Sequence, residues 1–198
     1  MPRFSEKEKE IIREKLLSEG AKLFLKYGLQ KVTIDDLVDS VKIAKASFYR
    51  FYEGKEYLYL DILQNEQKQL FDKLDGVLEN NKDLPDRVRV KQVFEKMYEL
   101  LCEFPLLTTV DKDTLDIISR KISGERLAVF SVQGFRAVDA MQKHGIKFAY
   151  DVPTVSTAFL ALYNSWVGMQ NVEPKVQAEV IGIMLEGLVN QIVVEEKE

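Results

Sequence analysis

The chain has one cysteine, one histidine and no apolar run long enough to cross a bilayer. Cys102 alone cannot form an intrachain disulfide, and with His144 as its sole histidine the chain is not expected to build a Cys/His zinc site. A membrane-spanning helix needs about 20 mostly apolar residues, and the opening Met1-Pro-Arg-Phe-Ser-Glu-Lys-Glu8 leads into charge rather than an apolar signal segment. A cytoplasmic location without membrane contact is the expectation. Also missing are alternating strand patterns of useful length, internal repeats and low-complexity linkers. No carboxylate pair, metal spacing, Ser/His/Asp set or glycine-rich phosphate loop stands out. The chain therefore reads as a non-enzyme with no cofactor and no metal.

What is present is helical periodicity. With 198 residues, 46% hydrophobic and 30% charged, the chain can bury a core in one compact domain or in a small and a medium one. The net charge of −4 is unevenly shared. Residues 1–58 hold 12 Lys and Arg against 10 Asp and Glu, a net +2, so the remainder carries −6. A slightly basic head is joined to an acidic body.

Ser5-Glu-Lys-Glu8 has the capping-box form, and Ile12, Leu16, Gly20, Leu23, Phe24 and Tyr27 step at helical spacing until Gly28 supplies a stop. Thr33 is an N-cap with Asp35 and Asp36 in the first turn, where negative charge meets the positive end of the helix dipole. Ile34, Leu37, Val38 and Val41 make one buried stripe, which fades at Val41-Lys-Ile43 before a second periodic run from Ala44 to Tyr52. Phe48 and Tyr52 anchor that run, while Lys45, Ser47, Tyr49 and Arg50 lie around its outward side. Residues 41–55 hold four basic side chains and only Glu53 against them, a local +3. Phosphate oxygens accept from cations and hydroxyls, and base edges suit a forked donor such as Arg. A helix-turn-helix probe for the DNA major groove fits this pattern.

A long helix is expected from Lys55 to the polar stretch after Gly76, with Pro85 opening the next and Pro105 closing it. Thr108 to Asp113 reads as a polar connection, followed by helices through Leu115–Ile122, Glu125–Lys143, Pro153–Gly168 and Pro174–Val194. The fold class is thus all-α with about nine helices. The expected division is residues 1–54, a helix-turn-helix DNA-binding domain, and 55–198, an effector-binding and dimerisation domain.

Residues 8–63 resemble the N-terminal domain of the tetracycline-repressor (TetR) family of bacterial transcriptional regulators. The resemblance is carried by Ile12 through Leu23-Phe24, Tyr27-Gly28, Val32-Thr33, Asp36-Leu37, Ile43-Ala-Lys-Ala-Ser-Phe-Tyr-Arg-Phe-Tyr52 and Gly54-Lys-Glu-Tyr-Leu58. It implies that Thr33 binds phosphate, that Lys45 and Ser47 meet bases or phosphates, that Tyr49 contacts the backbone and that Lys55 clamps phosphate at a helix N-terminus. Arg50 stands at a position that varies in the family and is a candidate base reader. Two departures are visible. Lys42 stands where the family commonly has glycine in the turn, and Ala44 stands where it often has a Ser cap, a loss worth about 1 kcal/mol.

In the body, Phe94, Met97, Tyr98, Leu101, Phe130, Met141, Phe159, Tyr163 and Trp166 are candidates to line an apolar effector cavity. For each one singly, plain packing is the stronger expectation. Cys102 is expected in the core, and His144 beside Gly145 at a helix end. The last two helices are apolar on more than one face, so a homodimer packing them as a four-helix bundle is expected, as the resemblance also implies. The whole then reads as a repressor, binding double-stranded DNA at a palindromic operator and released by a small, largely apolar or aromatic effector that shifts the first and fourth helices. The alternative is a helical small-molecule-binding or scaffold protein whose N-terminal domain serves protein contacts.

Overall fold

The computed structural model describes residues 4–124, 133–169 and 171–195, with the backbone alone for 133–136. Ten helices appear among them: α1 Glu6–Lys31, α2 Ile34–Val41, α3 Lys45–Phe48, α4 Lys55–Asn80, α5 Asp86–Leu101, α6 Pro105–Thr108, α7 Lys112–Lys121, α8 Gln133–Lys143, α9 Val152–Gly168 and α10 Pro174–Ile192. Two two-residue strands, β1 Lys147–Phe148 and β2 Val193–Val194, pair antiparallel. The all-α class holds, with this small ladder as an addition that two residues per strand are too few to signal in sequence. No helix among the described residues is long and apolar enough to cross a membrane.

The described residues fall into two compact units, within Met1–Lys68 plus Phe104–Leu127 and within Gln69–Glu103 plus Ala128–Glu198. In the first, α1 begins in a full capping box at Ser5 and Glu8. Its regular course breaks at Gly28, whose φ of 78° is open to glycine and strained for other residues. Gly20 sits against α4: a Cβ there would lie 3.1 Å from the Ile62 side chain and 3.2 Å from that of Leu58, so a larger residue would push those side chains aside by a few tenths of an ångström. Leu16, Phe24, Leu37, Phe48, Leu58, Tyr59 and Leu63 are buried, with Phe24 and Tyr59 edge to face at 5.1 Å. The Tyr59 hydroxyl is pushed up to about 12 by burial, then by Asp111 and Glu66.

Two expectations about helix limits need correction. Pro105 does not close α5, which ends at Leu101; it opens α6, where its missing N–H is no loss at a first-turn position. Part of the expected polar connection after Thr108 is simply Asp111, which caps α7 by accepting from Thr114 N–H at 2.8 Å. The part of the expected helix at 125–132 lies outside the described residues.

In the second unit α9 packs on α8 and α10, and α10 packs on α5. Arg89 is buried and paired, its Nη1 donating to Asp86 Oδ1 at 3.0 Å and to the His144 carbonyl at 3.1 Å. Lys91 of α5 forms an ion pair with Glu186 of α10. Arg87 donates to the Asn190 and Val193 carbonyls at 3.3 and 3.4 Å, capping the end of α10. Cys102 is exposed, contrary to expectation, because α5 stops one residue before it.

Candidate nucleic-acid interface

The interface is built by how α2 stops and α3 starts. Thr33 N–H and hydroxyl donate to Asp36 Oδ2 at 2.8 and 2.6 Å, and Asp36 N–H donates back to Thr33 at 3.2 Å. These bonds hold the Asp36 carboxyl below its ordinary value, the Thr33 side chain first. At the other end Ile43 N–H reaches the Val38 carbonyl at 3.1 Å and Lys42 N–H the Asp39 carbonyl at 3.4 Å. This is a Schellman closure with Lys42 left-handed at φ 58°, ψ 49°. A non-glycine side chain there costs about 1–2 kcal/mol.

Only Lys45–Phe48 of the expected 44–52 run is regular α-helix; beyond it Arg50, Phe51 and Tyr52 make short turn bonds back to Ser47 and Phe48. Ala44 gives no side-chain cap. The segment is held instead by Phe48, which is 0% exposed, and by Tyr52. The Tyr52 hydroxyl donates to Asp61 Oδ2 at 2.7 Å, and Arg13 of α1 donates to the same oxygen at 2.9 Å. Burial, then Asp61, raises the Tyr52 hydroxyl, while Asp61 and Tyr52 raise the Arg13 guanidinium. Both stay protonated, so the α1–α4–α3 brace persists across ordinary pH. Nothing local in the sequence pointed to Arg13 and Asp61, which lie 48 residues apart.

Around this anchor Lys45, Tyr49 and Arg50 are exposed and Ser47 half-buried. Tyr49 is 53% exposed although its ring stands edge to face on Phe48 at 5.8 Å. Lys45 Nζ lies 2.9 Å from Asp35 of α2, and that bond raises the ammonium above its ordinary value. Arg50 lies 5.7 Å from the centre of the Phe4 ring. Thr33 stands at the cap of α2 with its hydroxyl donating to Asp36. Lys55 is placed differently from a free phosphate clamp. Its Nζ donates to the Gln30 and Val32 carbonyls at 3.0 and 2.6 Å, tying α4 to the end of α1.

This three-helix head has known relatives. Residues 16–62 match the family described as bacterial regulatory proteins, tetR family. The head of this chain is therefore similar to the N-terminal domain of TetR-family regulators. It is similar to the biofilm operon icaADBC HTH-type negative transcriptional regulator IcaR of Staphylococcus aureus (strain Newman), 27% identical over 93 residues, 47% of this chain and 45% of that protein. The IcaR of Staphylococcus epidermidis is 35% identical over 54 residues, 27% of this chain and 29% of the relative. The chain thus spans less than half the length of these curated relatives. In fold it is similar over nearly its whole length to a TetR family transcription regulator from Marinobacter aquaeolei VT8, with a TM-score of 0.67 at 16% identity over 96% of this chain and 99% of that one. The fatty acid degradation regulator FadR from Bacillus halodurans gives a TM-score of 0.64 at 14% identity, over 95% and 97%.

The family match ends at residue 62, so the second unit is read from its own side chains. Phe94 and Phe159 stack at 4.2 Å, Tyr98 lies 5.0 Å from Trp166, and Tyr163 lies 6.1 Å from Trp166. These rings contact one another. Leu101 and Met141 are buried, Met97 is half-buried, and Phe130 lies outside the described residues. A surface pocket of about 770 Å³, lined by Asp83, Leu84, Pro85, Asp86, Gly145, Lys147, Val194 and Glu195, contains none of them. One polar atom in the aromatic cluster has no partner: the Tyr98 hydroxyl is buried, and burial pushes it up to about 12. Ser156 Oγ and Gln92 Oε1 in the same unit are likewise buried without partners. His144 is held by carboxylates, its Nε2 2.8 Å from Asp75 and Nδ1 3.6 Å from Glu79. Among the described residues no group of three or more His, Cys, Asp or Glu could hold a metal.

Proposed function

We propose that this chain is a DNA-binding transcriptional repressor that works as a homodimer on an inverted-repeat operator and releases it when a small molecule binds the second unit. The observation that carries the reading is the exposed row Lys45, Tyr49 and Arg50 mounted on a fully buried Phe48 and braced through Tyr52, Asp61 and Arg13. Such a rigid mount with polar tips suits groove and phosphate contacts. IcaR, a negative regulator by name, supports repression rather than activation.

Lys45, Ser47, Tyr49 and Arg50 are the contact residues in this reading. Thr33 contributes through its place at the head of α2. Lys55 keeps one N–H beyond the two that hold Gln30 and Val32 and serves mainly as a strut. Dimerisation fits the outer face of α9 and α10, where Leu160, Val176, Met184 and, at 73% exposure, Ile183 face solvent. The effector fits the unit with the aromatic cluster, where an apolar or aromatic molecule with one polar group would satisfy Tyr98. A ligand releases DNA only by the difference in its affinity for two conformations.

The test is fluorescence anisotropy on duplexes selected from a random pool by the purified chain. A palindromic consensus, a steep salt dependence and at least tenfold weaker binding by Tyr49→Ala at unchanged fold are expected. Failure to select any sequence, together with retention of partner proteins through the head, would favour a scaffold function instead.

A further inference from the structure

We propose that Lys42 is a DNA-backbone contact of this chain: a cation carried at the turn between α2 and α3 in a backbone conformation that a lysine adopts only under strain. The inference rests on the DNA-binding reading above and adds a residue to it.

Lys42 is the one non-glycine residue with positive φ among the described residues. The turn needs that conformation, since the Ile43–Val38 and Lys42–Asp39 bonds close α2 only with a left-handed residue between them. The turn does not need the lysine side chain. Both closing bonds are made by backbone N–H groups, and glycine would make them without strain. Lys42 is exposed, and no hydrogen bond or ion pair reaches its ammonium among the described residues. Strain held at an exposed residue whose ammonium meets no partner among the described residues is what a contact with something bound would offset.

Its neighbours sharpen the point. A cation strengthens DNA binding by displacing counterions condensed on phosphate, and a cation already matched by a carboxylate contributes less. Lys45 is matched by Asp35 at 2.9 Å, and Lys55 is occupied by two carbonyls. Lys42 stands three residues before Lys45 with its charge uncompensated. A compact ammonium on a flexible stem suits a phosphate better than a base edge. Lys42 therefore supplies affinity and register rather than sequence choice.

The test compares the full chain with Lys42→Gly, Lys42→Gln and Lys42→Arg on a mixed-sequence duplex of about 30 base pairs across a KCl series. Lys42→Gly relieves the strain and should melt roughly 2–4 °C higher. It should nonetheless bind about threefold to tenfold more weakly, with the slope of log K against log salt reduced by about one. Lys42→Gln should lose the same affinity and slope while melting like the parent, and Lys42→Arg should keep both. A Lys42→Gly chain that melts higher and binds with the parental affinity and slope makes Lys42 a tolerated turn residue and overturns the inference, leaving the DNA-binding reading intact. A parent chain with no salt-dependent duplex binding overturns both.

Discussion

The two units differ in which apolar side chains they expose. In the first, Leu25, Tyr27, Tyr49 and Leu115 reach 45, 48, 53 and 42% exposure, and one oxygen each of Glu66 and Gln67 is buried without a partner. In the second, Ile183, Leu160, Val176 and Met184 lie outside while the Tyr98 hydroxyl, Ser156 Oγ and Gln92 Oε1 are enclosed without partners. Both units enclose polar atoms without partners, and what sets the second apart is Ile183, at 73% the most exposed large hydrophobic side chain among the described residues. In the proposed reading that face meets a second copy, whereas Tyr49 meets DNA.

The largest way to break this contrast is Phe48→Ala. Removing a fully buried ring should cost about 3–5 kcal/mol and abolish duplex binding through loss of the head, visible as a lowered denaturation midpoint. Second, Ile183→Glu should weaken self-association by about 100-fold or more while leaving helix content unchanged. Sedimentation at micromolar concentration would then report the 22.9 kDa monomer. A variant that stays dimeric would remove the distinction drawn for α10.

A smaller effect sits at the end of the first unit's share of α4. One oxygen of Glu66 is buried without a partner, and burial pushes its carboxyl from 4.5 up to about 7. The folded chain therefore holds this proton to higher pH than the unfolded chain. Stability from this group is full below about pH 4.5 and is lost as pH rises toward 7. Glu66→Gln should flatten that decline and raise the melting temperature at pH 8 by roughly 2–4 °C; an unchanged pH profile would count against burial as the cause. The smallest effect is Ala44→Ser, which supplies the missing cap of α3 and should stabilise the head by about 0.5–1 kcal/mol in denaturant titration.

The head was largely legible because its signals are local. The Ser5–Glu8 and Thr33–Asp36 boxes, the stop at Gly28 and the Phe48 anchor each depend on residues within one or two turns. The length of α3 was overstated, since aromatic spacing cannot tell a helix from a helix followed by tight turns. The bonds of Lys55 to Gln30 and Val32 leave no local signal, because those residues lie more than twenty positions away. In the second unit the large aromatics were recognisable as a group, but which rings touch depends on how α5 and α9 pack.

By itself the sequence determined most of the helices, the place of the turn and the identity of the residues around α3, because periodicity, capping and glycine preference act over a few residues. Only the tertiary structure decided that Arg13 and Asp61 brace Tyr52, that His144 rests on Asp75 and Glu79, and that the Lys42 ammonium meets no carboxylate among the described residues. Those outcomes depend on which distant segments the packed helices bring within hydrogen-bond reach, and a linear pattern carries no record of that distance.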